Sequence, residues 1–181
     1  MNLRETMDYL KERCKAVVYS IPESDWNTLI ELIISKKKIF VYGVGRSGLV
    51  GQFFSVRLVQ MGLSVYFVGD MTTPIIGKDD LTILISNTGN TASVVQTAVI
   101  ARRVGSHVVS LTSSASCKLA KESDTAIILN IKEDKMDSKL APLGTIFEDT
   151  VLFFFDCVVP DLMRRLNVSE EDMRNRHAIW V

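Results

Sequence analysis

The chain has 181 residues, 47% of them hydrophobic and 23% charged, the proportions of a globular domain with a sizeable core. Its 21 basic and 21 acidic residues cancel, which excludes a broad electrostatic attraction to nucleic acid or to an anionic membrane. Three scattered cysteines (Cys14, Cys117 and Cys157) lack metal-like spacing and suit small buried side chains in a reducing, cytoplasmic compartment.

In chain order, the first twenty residues mix Arg4, Glu5, Asp8, Lys11, Glu12 and Arg13 with apolar positions. That pattern predicts an amphipathic helix near 2–19, not a signal peptide. A second helix is expected near 24–36, entered through Pro22-Glu23-Ser24. Short runs rich in Val, Ile and Leu then recur at 38–43, 64–68, 81–85, 107–111 and 125–130. They are apolar almost throughout, as strands buried on both faces are in parallel sheets. Helical segments near 47–61, 91–104 and 115–122 separate most of them. The alternation predicts an α/β fold: a three-layer α-β-α sandwich, flavodoxin-like, with a five-stranded parallel sheet and helices on both faces. No repeat or linker divides residues 1–181, so one domain is expected.

Beyond residue 131 the polar stretch KEDKMDSKLAPLGT reads as a loop. It leads into TIFEDTVLFFFDCVVPDLMRRL, a long helix that Pro160 is expected to bend. Apolar side chains cover most of its circumference, which predicts burial with a subunit interface as the cover. Its most apolar part, 151–159, is broken by Asp156 and is far too short to span a bilayer. A last short helix is expected from Ser169, carrying Arg176 and His177.

Two turns carry the chemistry. VYGVGRSG (41–48) holds Gly43-x-Gly45-x-x-Gly48 after an apolar strand, the dinucleotide-binding pattern, with Asp70 roughly 20 residues further on. A glycine turn opening a helix aims backbone N–H groups and the positive helix end at any phosphate, not only a pyrophosphate. Here Arg46 and Ser47 supply a cation and a hydroxyl suited to a compact anion. The second turn, ISNTGNTASV (85–94), follows another strand and sets Ser86, Asn87, Thr88, Asn90 and Thr91 around Gly89. One such loop alone is adequately explained as a capped helix with a polar turn. Two at neighbouring strand ends point to a phosphate ligand, because ligands of open α/β sheets lie beyond the carboxyl ends of the strands. A nicotinamide cofactor leaves the second loop unexplained.

The paired loops GVGRSG and SNTGNT resemble those of the SIS family, the sugar-isomerase domain that binds phosphosugars. Together with APLGTIFEDT and the closing RNRHAIWV, the chain is similar to the 6-phospho-3-hexuloisomerase branch of that family. The wider family often has Ser-x-Ser-Gly-x-Thr in the second loop. Thr88 stands at the second serine, keeping the hydroxyl and adding a methyl group.

The resemblance implies interconversion of 3-hexulose 6-phosphate and fructose 6-phosphate through a cis-enediol, with no cofactor and no metal. It implies that Ser47 and the loop from Ser86 to Thr91 (with Asn87, Thr88, Gly89 and Asn90) hold the substrate. It makes Glu148 the proton acceptor and His177 a second catalytic group, acting in its own or a neighbouring subunit. It further implies a homotetramer and functional coupling to 3-hexulose-6-phosphate synthase, while the charge balance above leaves neither nucleic acid nor membrane as an expected partner. Another aldose or ketose phosphate isomerase of the fold, or a non-catalytic phosphosugar sensor, stands as the alternative.

From residue chemistry alone, Glu148 is also a plain first-turn glutamate favoured by the helix dipole. Burial would raise its pKa and the helix terminus would lower it, leaving the sign open. Arg46 is placed to orient substrate or steady enediolate charge. His107, in an apolar strand, is expected to be structural, and a turn accounts adequately for Thr72-Thr73-Pro74.

Overall fold

The computed structural model describes residues 2–179, so Trp180 and Val181 of the closing stretch lie outside it. Five parallel strands form its sheet: β1 (Ile39–Gly43), β2 (Val65–Phe67), β3 (Leu81–Ile85), β4 (His107–Thr112) and β5 (Thr125–Ile128), in the order β2-β1-β3-β4-β5. Every residue of β3 is buried, as are all of β1 but Tyr42 and all of β4 but His107. This is why the sequence shows these strands as unbroken apolar runs rather than alternating ones. The edge strands β2 and β5 are shorter than their apolar runs and only partly covered. His107 is structural as expected, with Nε2 3.1 Å from the Thr125 hydroxyl on the next strand.

The helices are α1 (Leu3–Ser20), α2 (Glu23–Ser35), α3 (Arg46–Gln60), α4 (Ala92–Arg103), α5 (Lys118–Lys121), α6 (Asp137–Leu140), α7 (Thr145–Leu166) and α8 (Glu170–Asn175). The larger core lies on the side of α1, α2, α3 and α7, and a smaller one under α4 and α5. α5 is half the expected length. The segment expected to be a loop contains α6 and a single 3-10 turn, Pro142–Gly144. Tyr9 Oη donates to Asp137 Oδ1 at 2.7 Å and Arg13 Nη2 lies 2.8 Å from Asp137 Oδ2, so α1 orders a segment that reads as polar filler.

α7 continues through Pro160 as one helix. Most of its apolar circumference is covered within the chain, where α1, α2 and α3 all pack on it, while Phe153 stays exposed. The tightest contact is Phe54 of α3 stacked on Phe155, centroids 4.0 Å apart and planes within 3°. Cys14 and Cys117 are buried, whereas Cys157 is exposed on the outer face of α7, contrary to expectation. A longer open stripe lies on α3, where Leu49, Phe53, Val56 and Val59 are exposed at helical spacing. Among the described residues, no helix is long and apolar enough to cross a membrane.

The first glycine turn follows from close packing of β1 on α3. Gly45 turns the chain at φ 61°, outside the range most side chains tolerate. At Gly48 an added Cβ would sit 2.5 Å from the Gly43 carbonyl oxygen, so a methyl group would push α3 off the strand. Alanine is the better helix former by only about 1 kcal/mol, less than a backbone clash costs. Gly48→Ala is therefore expected to lose about 2 kcal/mol of stability, a fall of roughly 4–8 °C in Tm for a chain of this size, readable by thermal denaturation.

Candidate active site

β1 is flanked by β2 on one side and β3 on the other, so the strand order reverses between β1 and β3. Gly43 and Ile85, the last residues of β1 and β3, are register partners. Both glycine turns consequently emerge side by side at the topological switch point, where open α/β sheets bind ligands.

The starts of the two helices that follow differ from those of α1 and α8. α1 and α8 begin with reciprocal capping boxes, Asn2 with Glu5 and Ser169 with Asp172. Neither Gly45 before α3 nor Thr91 before α4 caps its helix with a side chain. Thr91 has a capping hydroxyl but holds it 3.2 Å from Ser86 Oγ instead. Uncapped first-turn amides beside side-chain hydroxyls make a geometry suited to an anion.

The loop 86–91 is rigidly braced from below. The Asn87 carbonyl accepts from Ser113 N (3.0 Å), Ser113 Oγ (2.7 Å) and Thr112 Oγ1 (3.1 Å). Leu119 N donates to the Gly89 carbonyl at 2.9 Å, and Lys118 N to Asn90 Oδ1 at 3.3 Å. At Gly89 an added Cβ would fall 2.1 Å from Cys117 Sγ, so the loop rests on that thiol. Thr88 and Asn90 serve the turn itself, Thr88 Oγ1 accepting from Asn90 N. The hydroxyl-rich SLTSSASC run that ends β4 and leads to α5, a signal of the same kind as the other two loops, marks this brace in the sequence.

Glu148 reaches the cluster from the first turn of α7. Its carboxylate is buried, with Oε1 3.2 Å from the donating Ser47 hydroxyl and Oε2 3.5 Å from Arg46 Nε. Gly144 is wedged between the two halves of the site: an added Cβ there would lie 2.9 Å from Asn87 Nδ2 and 3.5 Å from Glu148 Oε2. Burial raises the pKa of Glu148, against the lowering effects of the Ser47 hydrogen bond and the Arg46 charge, which settles the sign that sequence left open. Asp149, the next residue, is also raised by burial, and its Oδ1 lies 3.8 Å from Arg46 Nη2. Thr73 closes a turn on the Phe67 and Asp70 carbonyls, as its sequence suggests.

His177 is not brought to this cluster. The last helix stops at Asn175, and His177 lies in the turn beyond it, beside Arg57 and Gln60. Arg176 holds this turn to the Gln60 carbonyl. Ser47 opens α3 and Gln60 ends it, which at 1.5 Å per residue separates them by about 20 Å. The sequence thus brings Arg46, Ser47, Ser86, Asn87, Thr91 and Glu148 together, and leaves His177 at the far end of α3 in the same protomer.

A doubly wound domain with two hydroxyl-lined anion loops and a buried carboxylate beside them defines a phosphosugar-handling class. The SIS domain family model matches residues 32–152. The chain is 37% identical, over 98% of both chains, to the 3-hexulose-6-phosphate isomerase of Methanocaldococcus jannaschii. It is 32% identical to that of Bacillus subtilis over 94% of both. A solved M. jannaschii structure, for which a 3-hexulose-6-phosphate isomerase function was inferred, superposes with a TM-score of 0.88 at 36% identity, covering 98% of this chain and 99% of that one. The chain belongs to the SIS domain family.

The raised pKa of Glu148 carries a stability consequence. A carboxyl group whose folded pKa lies above its unfolded value binds more protons folded than unfolded, so stability declines as pH rises through that window and stays reduced above it. Removing the charge should therefore stabilise the fold. Glu148→Gln is expected to raise Tm at pH 7 by a few degrees, on the order of what 1 kcal/mol gives at this size, and to lose that gain by about pH 4 in a melting series across pH.

Proposed function

We propose that the protein is a phosphosugar isomerase interconverting 3-hexulose 6-phosphate and fructose 6-phosphate, with Glu148 as the proton-transfer base. One observation carries the chemical assignment: a buried carboxylate of raised pKa sits at the mouth of the paired anion loops. The whole-length similarity to proteins named 3-hexulose-6-phosphate isomerase supports the choice of substrate.

The substrate phosphate would rest on the amides and hydroxyls of Ser86 to Thr91, and the open-chain sugar would run toward Glu148. Glu148 takes the proton from carbon 2 of the 3-ketose, giving a 2,3-enediolate. It returns a proton to carbon 3 as the carbonyl forms at carbon 2, and the hydroxyl proton moves between the two oxygens. A carboxylate raised toward the working pH is the better base for this transfer. Arg46, mostly exposed beside Glu148, would steady the enediolate oxygens through its remaining N–H groups. His177 cannot reach Glu148 within its own protomer, so any part it takes in the reaction requires delivery from another copy.

Purified protein supplied with 3-hexulose 6-phosphate should form fructose 6-phosphate, and Glu148→Gln should lower kcat by about 10²–10⁴-fold while still binding substrate. Binding without turnover by the wild type would overturn the assignment and favour a phosphosugar sensor.

The reading extends to assembly and location. We propose a cytoplasmic homo-oligomer, with a tetramer as the expected count, assembled through the exposed α3 stripe rather than through α7. Functional coupling to 3-hexulose-6-phosphate synthase, which would supply the substrate, belongs to the same proposal. Light scattering should show a multimer, and Phe53→Glu, which sets a charge in that stripe, should shift it toward monomer. A wild-type monomer would refute the interface.

A further inference from the structure

We propose that Asp149 is a positioning residue for the base: by holding one arm of the Arg46 guanidinium, it keeps the Glu148 carboxylate out of a closed ion pair and available to substrate. The inference rests on the isomerase reading above and adds a residue to it.

Neighbouring positions on a helix point about 100° apart, so Glu148 and Asp149 cannot present their carboxylates along one direction. They meet at Arg46 only because its planar fork offers separate nitrogens, Nε toward Glu148 and Nη2 toward Asp149. The separations are 3.5 Å and 3.8 Å, whereas a closed, bidentate arginine–carboxylate pair sits at roughly 2.7–2.9 Å. The cation is shared and fully engaged by neither acid.

The surrounding charges leave Asp149 as the group able to hold Arg46 back. On α7 the facing groups are Glu148 and Asp149 themselves, and on α3 the facing cation is Arg46. On α1 they are Cys14, whose thiol is kept protonated by burial, and Arg13, which is bound to Asp137 and the Lys132 carbonyl. If Asp149 were neutral, Arg46 could close on Glu148, and a fully paired carboxylate is a weaker base with a less accessible lone pair. The charge of Asp149 also adds to the burial that raises Glu148.

The test compares wild type with Asp149→Asn and Asp149→Glu. The Glu148 carboxyl is titrated by ¹³C NMR, assigned as the resonance missing from Glu148→Gln, and kcat and KM are measured alongside. In Asp149→Asn the Glu148 midpoint should move to lower pH, the acid limb of kcat should follow it, and kcat should fall roughly tenfold with KM within about twofold. Asp149→Glu should restore the midpoint and the rate. Asp149→Ser, smaller and also neutral, should reproduce the sign of the asparagine variant, including where the amide disturbs folding.

An unchanged midpoint in the neutral variants, or a glutamate variant as impaired as the asparagine one, would overturn the proposal. Wild-type protein that fails to isomerise would refute the reaction assigned above, while the midpoint comparison would still decide whether Asp149 divides Arg46.

Discussion

The site depends on a carboxylate taken out of water and only partly compensated. Glu148 has a hydroxyl on one oxygen and a long contact to a shared guanidinium on the other. A tighter pair would make it a stable structural acid, and full exposure would leave it an ordinary surface glutamate. Burial wins over both partners, so the proton is held more firmly than in water. The fold bears that cost because α7 is fixed elsewhere. Phe154, Phe155, Val158 and Leu162 are fully packed, and their burial outweighs one poorly solvated charge at the helix start.

The sheet determines where this carboxylate points. β1 and β3 are neighbours that send their connections in opposite directions, so their carboxyl ends open a crevice between α3 and α4. Close contact at Gly43 and Gly48 sets α3 directly on β1, and the Phe54–Phe155 stack sets α7 on α3. Ser47 and Glu148 are thus related through two tightly packed interfaces rather than through flexible loops. A shift of an ångström at either interface would separate the Glu148 carboxylate from its hydroxyl partner, and the proposed proton transfer would be sensitive to displacements of that size.

The central strands and both strand-to-helix turns were legible in the sequence because each leaves a local mark: an unbroken apolar run, or glycine and hydroxyl residues at a strand end. The glycine fingerprint was legible as geometry but not as ligand. Gly45 and Gly48 do what the dinucleotide pattern requires of them, and the second loop decides what the turn holds. The intrachain cover of α7 was not legible because a helix apolar on most sides looks the same whether its neighbours come from its own chain or from another. Only the placement of α1 and α2 distinguishes the two. α6 left little mark because Asp137 is ordered by Tyr9 and Arg13, more than 120 residues away in sequence. The position of His177 escaped for a similar reason: it depends on where the far end of α3 lies, which its local sequence does not encode.

Charge also divides labour between the two loops. The Ser47 hydroxyl is donated to Glu148, and a phosphate bound at that hydroxyl would bring a second anion beside a carboxylate already short of solvation. Like charges about 4 Å apart repel by several kcal/mol at an effective dielectric constant of ~20. The loop from Ser86 to Thr91 carries no acidic side chain and offers amides and hydroxyls that neutralise a phosphate without a fixed cation. Under the proposed isomerase reading, phosphate would therefore sit on the second loop and the sugar carbons near the first. With the reacting carbons four and three positions from the phosphorylated carbon of a hexulose 6-phosphate, that pose would set the two anions at opposite ends of the sugar. Glu148, as the proposed base, would then be opposed only weakly by its own substrate.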